Sequence, residues 1–162
     1  MDLVERRGRA WRRLLWLAPL LLYLFFIFGR LLLGGQVGWM SVIAVLWAPI
    51  ILPPIFAASL INLADRPARR ARTVRKAVAG TGLVWWLLAL VYCFVVPDGG
   101  DNEAWSSAVS EWTGGTEESA QRLANTVIVA ALFALAVHIG TTVWSTVQSR
   151  RSPEDQFFEL PA

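Results

Sequence analysis

The sequence predicts an all-α integral membrane protein: an antiparallel four-helix transmembrane bundle with a short interfacial helix in the outer loop. Three observations carry that expectation. Hydrophobic residues make up 56% of the 162 residues and the mean hydropathy is +0.49, above the roughly 45–50% apolar share usual in soluble domains. The apolar residues fall into four continuous runs, each near or above the ~18 residues that mark a bilayer span. Of the 15 basic residues, all arginine except Lys76, every one but Arg30 flanks those runs. That is how topology is written in membrane proteins, and it is not the basic face by which a soluble domain holds nucleic acid.

Residues 1–13, MDLVERRGRAWRR, form a basic N-terminus with five arginines. The first run, 14–33, follows directly. It is longer than the ~7–15 residues of a signal-peptide core, and RLLLGG puts leucine where a cleavage site needs a small residue, so an uncleaved first span is expected. Residues 34–38, GGQVG, hold only a turn, so the second run, 39–63, must return antiparallel. Within that run APIILPPIF carries Pro49, Pro53 and Pro54. Each removes a backbone donor and crowds the carbonyl four residues back, so the helix is expected to bend or break there.

The third run covers 77–97 and resembles the first: WLAPLLLYLFF from Trp16 and WWLLALVYCFV from Trp85 share Trp, Leu, Tyr and Phe at matching offsets. The outer loop, 98–122, contains Trp105, Val109 and Trp112 at i, i+4 and i+7, the spacing of one helical face. Asn102 is the expected N-cap and Gly114–Gly115 the expected stop, giving a short helix with tryptophans on the bilayer surface. Thr116 in TEES offers a cap to a fourth helix that starts ahead of its apolar run, 123–147. The tail, 148–162, reads as a short cytoplasmic end.

Charge orients these spans. The N-terminus, the 64–76 segment and Arg150–Arg151 in the tail are basic, whereas 98–122 holds six acids and one base. Short basic segments stay cytoplasmic. An even number of spans also requires both termini on one side, so both are expected in the cytoplasm. The preference for arginine over lysine, with much Ala, Gly, Val and Leu, points to a GC-rich bacterial genome and thus to the bacterial cytoplasmic membrane.

Few positions carry chemistry. His138, the only histidine, lies within the fourth run, where an ionisable side chain marks a candidate site. Thr126, Ala130, Ala134, His138, Thr141 and Ser145 form a stripe of small and polar residues suited to close helix packing, leaving Ile128, Leu132 and Leu135 peripheral. A hydrogen-bonded packing histidine is the first reading; a proton relay is the second. Arg30 sits ~5 Å below the end of the first span at 1.5 Å per residue. There it either snorkels to lipid phosphate or pairs with Asp98, where the third span surfaces. Cys93, the only cysteine, permits no intrachain disulfide and reads as an inert buried thiol.

No Ser-His-Asp set, metal-ligand cluster, phosphate loop or calcium loop is present in the sequence pattern, so no catalytic residue, cofactor or metal is expected. The expectation is a non-enzymatic multi-pass protein, an accessory or assembly partner of a membrane complex or a homo-oligomer. Its partners would be the lipid bilayer and another membrane protein or a second copy of itself, with no nucleic acid. The alternative is a small channel, a holin-like pore or a transporter subunit using His138 and the proline break. No acid lies at mid-span, which weighs against a proton-coupled transporter.

Overall fold

The computed structural model describes residues 3–32, 38–64, 76–97 and 107–150, with side chains from residue 13 onward apart from 30–32, 111, 149 and 150. Among these residues all regular structure is helical: α1 (Leu3–Leu32), α2 (Trp39–Leu46), α3 (Ala48–Ala64), α4 (Lys76–Val95), α5 (Ala108–Thr113) and α6 (Glu117–Arg150). Two segments, Lys76–Val95 and Glu117–Gln148, are long and apolar enough to cross a membrane. Trp39–Leu46 with Ala48–Ala64 makes a third only if that pair, bent by 74°, counts as one span. In α1 the apolar stretch Arg13–Gly29 is shorter than these.

Contacts fix the directions of the helices. Thr81 and Trp85 meet His138, whereas Val95 packs with Ala124 and Val127, so α4 and α6 run antiparallel. Phe25 meets Phe94 and Phe26 meets Tyr92, while Leu15 joins Trp85 and Trp86 lower down, so α1 runs parallel to α4. Trp16 stacks on Phe56 and Tyr23 reaches Ala44, so α2–α3 returns along α1. Leu15, Trp85, Trp86, Ala134 and Leu135 form the main buried cluster.

The second apolar run breaks at Trp47, ahead of all three prolines. Trp47 closes α2 by donating to the Ile43 carbonyl, and its own carbonyl accepts from the N–H groups of Ile50 and Ile51 as α3 begins. Pro49 thereby falls in the first turn of α3, where its missing N–H has no intrahelical use. Its ring crowds the carbonyl four residues back, at Val45, which places the break there. Pro53 and Pro54 lie inside α3 without ending it. The run expected to bend or break over 39–63 is therefore two helices, and the two inner prolines are not the site of the break.

The helix between α4 and α6 is also shorter than expected. Ser107 caps α5 by accepting from the N–H of Ser110, and Ser110 returns a bond to the N–H of Ser107. Gly114 ends it in the left-handed conformation, φ 68°, which favours glycine. The expected cap Asn102 and the expected surface residue Trp105 lie outside the described residues. Val109 packs on the Val95–Ala124–Val127 cluster, and exposed Trp112 lies against Phe94 at 6.0 Å. Thr116 caps α6, accepting from the N–H of Ser119, with Glu117 and Glu118 in the first turn, where the helix dipole favours acids.

Candidate functional site

His138 is buried in the α4–α6 contact. Its Nδ1 lies 3.0 Å from Thr81 Oγ1, and its ring is near-parallel to that of Trp85, centroids 6.3 Å apart. Thr81 also donates to the Ala77 carbonyl at 3.0 Å. A hydroxyl has one proton, so Thr81 accepts at Oγ1 and Nδ1–H of His138 donates. Gly82 makes the fit possible: a Cβ there would stand 3.0 Å from Cε1 of His138, closer than packed carbon atoms tolerate.

The other polar groups of α6 turn inward on their own helix. Thr142, buried, donates to the His138 carbonyl; Thr146 donates to Thr142; Thr141, half-buried, donates to Val137; Thr126 donates to Arg122. These bonds satisfy each hydroxyl locally and build no chain of proton carriers along the helix. The buried line of α6 is Ala120, Ala124, Val127, Ala131, Ala134, Leu135, His138, Thr142, Ser145 and Thr146. Thr126, expected in the stripe, is exposed, and Leu135, expected at the periphery, is buried. The reason is helical pitch: three successive steps of four residues back from His138 rotate about 120° away from the starting face at 3.6 residues per turn. Thr142, not Thr141, follows His138 on the packed side.

A second feature was not anticipated. A partly open cavity of about 460 Å³ lies between α1, the inner side of the α2–α3 elbow, α4 and α6. Its wall includes Pro19, Tyr23, Phe26, Ile43, Ala44, Ile51, Pro54, Trp85, Ala89, Tyr92, Cys93, Ala131 and Leu135. Two hydrogen bonds frame it. Pro19 has no N–H to give to the carbonyl of Leu15, and that carbonyl accepts from Ser59 Oγ instead. The Ala44 carbonyl, whose helical partner would be the N–H of Ala48 across the bend, accepts from the Tyr23 hydroxyl at 2.7 Å. Both carbonyls sit beside a helix irregularity and both are satisfied by a neighbouring helix, as an apolar surrounding requires.

Between those two bonds α1 advances from Leu15 to Tyr23, about 12 Å, whereas α2–α3 advances from Ala44 to Ser59, about 22 Å along the chain. The bend of 74° shortens that second path to about 20 Å, and the Tyr23 side chain reaches to the Ala44 carbonyl on the far side of the bend.

Of the candidate positions, Pro54 lines the cavity, while Pro49 and Pro53 are exposed on α3. The backbone of Arg30 belongs to α1, but its side chain and Asp98 lie outside the described residues, as does any pairing between them. Cys93 is half-buried on the cavity wall, its thiol donating to the Ala89 carbonyl. Among the described residues no three His, Cys, Asp or Glu side chains gather as a metal site would need. Sequence reasoning missed Thr81 and Gly82, although the small residues of KAVAGTG at the start of the third run were the signal. In an antiparallel pair they fall opposite the end of the fourth. No protein-family model, no curated protein and no solved structure matches the chain.

Proposed function

We propose that the chain is a non-enzymatic four-span protein of the bacterial cytoplasmic membrane, with both termini cytoplasmic. It serves as an accessory or assembly partner of a membrane complex, or as a homo-oligomer. In this reading α1, the bent α2–α3 pair, α4 and α6 are the four spans, and α5 lies at the outer surface. One observation carries it: Tyr23, Ser59, Thr81, Cys93, His138 and Thr142 within the apolar helices bond to each other or to backbone, while the outward faces of α4 and α6 present Leu83, Val84, Leu87, Val129, Leu132 and Phe133. Such a surface suits lipid or a neighbouring helix and offers no converging acid and base for catalysis.

The bend and its cavity favour a second reading, a small channel, holin-like pore or transporter subunit, since broken helices line transport sites. That reading needs a hydrated path, and the cavity wall is apolar.

Reporter fusions test the topology. Fusions after Arg75 and after Leu160 are expected to read cytoplasmic, and one within 106–115 external; a cytoplasmic signal from 106–115 overturns the four-span arrangement. Purification of the tagged protein in mild detergent tests the role, with a defined partner or a stable homo-oligomer expected to co-elute. A monomer that conducts ions or protons in liposomes would favour the second reading.

A further inference from the structure

The cavity at the elbow has the properties of a binding site for one class of molecule. We propose that it holds an acyl chain of a bilayer phospholipid, entering sideways from the membrane. This rests on the reading that the chain lies in a bilayer, and goes beyond it by assigning a ligand.

Chemistry selects the occupant. Among the described residues the polar side chains on the wall are Tyr23, Trp85, Tyr92 and Cys93, and both the Tyr23 hydroxyl and the Cys93 thiol already donate to carbonyls. Water needs two to four polar partners to be held in a buried space, and this wall is overwhelmingly apolar. Among the described residues no charged side chain lines the cavity, so a phosphate headgroup finds no cation there to bind. A hydrocarbon chain needs only dispersion contact, which this wall supplies on several sides. The volume, about 460 Å³, falls in the roughly 300–1,000 Å³ range of small-ligand sites.

Geometry selects the route. Ile43, Ile50 and Leu132 line the cavity and are themselves exposed, so the mouth lies between the elbow and α6. It opens beside Val129 and Phe133, which are 66% and 72% exposed and in the proposed topology face lipid. The Ser59–Leu15 and Tyr23–Ala44 bonds tie α2–α3 to α1 on both sides of the bend at Trp47.

The test is photocrosslinking in vesicles of phosphatidylethanolamine and phosphatidylglycerol containing a phospholipid with a mid-chain diazirine, followed by peptide mapping. Labelling several-fold higher over 50–55 and 89–93 than over the exposed pair Leu83 and Val84, which lie outside the cavity, is expected. Ala89→Phe and Ile51→Trp, which fill the cavity from opposite walls, should each reduce the cleft labelling to the level of that exposed pair while leaving the pair unchanged. Even labelling of both regions overturns the proposal, as does cleft labelling that neither variant reduces. So does a cleft that is silent to the phospholipid but labelled by a free diazirine-bearing isoprenoid. Absence of labelling at Leu83 and Val84 as well would instead count against the membrane reading itself.

Discussion

The α4–α6 pair and the α1–α2–α3 half are both apolar and both antiparallel, yet one closes and the other arches. On α4, Ala79 and Gly82 present small faces to α6, which answers with Ala131, Ala134 and the flat ring of His138. Backbones can approach, and one polar side chain is matched by one hydroxyl. On the other side, Pro19 takes a donor out of the ladder and Pro49 crowds the Val45 carbonyl at the break, and the large side chains of Trp16, Tyr23 and Phe56 lie between the helices. The difference teaches that helix approach here is set by side-chain size and by where carbonyls lose their partners. Hydrophobicity alone sets neither.

Substitutions that reverse these features should erase the contrast. The largest effect is expected at the closed pair: Gly82→Leu drives a side chain into His138 and should cost about 1–3 kcal/mol of stability, as overpacking does, measured by unfolding in detergent. Gly80→Leu is its control, since a Cβ at Gly80 meets nothing within 4 Å. His138→Leu leaves Thr81 without its side-chain partner and should cost about 1–2 kcal/mol. His138→Asn and His138→Gln should retain assembly, and loss of function in both at normal protein level would move His138 to a relay role. On the arched side, Ser59→Ala and Tyr23→Phe each strand one carbonyl and should cost about 1 kcal/mol apiece. The two should combine additively if the tethers act independently. The smallest effect is that of Gly80→Leu itself, expected within about 0.5 kcal/mol of zero.

Much of this was legible in the sequence because it follows from local pattern. Thr116 and Gly114 read as helix boundaries, and the proline cluster announces an irregular second run. The place of the break was harder to read, because Pro49 acts through the carbonyl four residues earlier and then sits harmlessly in the next first turn. The face of α6 was misread by one residue at Thr141, and by more at Thr126, because steps of four drift around a 3.6-residue helix. The cavity was not legible at all. It lies where α1, the α2–α3 pair, α4 and α6 come together, a meeting of distant segments that no window of sequence contains. Nor was the partner of His138, since Thr81 is 57 positions away and stands out only once α4 and α6 are paired.

The claim on which the rest depends is that α2–α3 is bent and arched rather than straight and closed. Spin labels at Trp39→Cys and Leu63→Cys, both on exposed positions, in a Cys93→Ala background, measure it directly by electron–electron double resonance in lipid nanodiscs. With 74° at Trp47 and a rise of 1.5 Å per residue, the backbone separation between the labelled positions is about 30 Å, against about 36 Å for an unbroken helix. The account predicts a distribution centred on the shorter value. A distribution centred on the longer one would mean a straight span lying along α1, and the cavity would not exist.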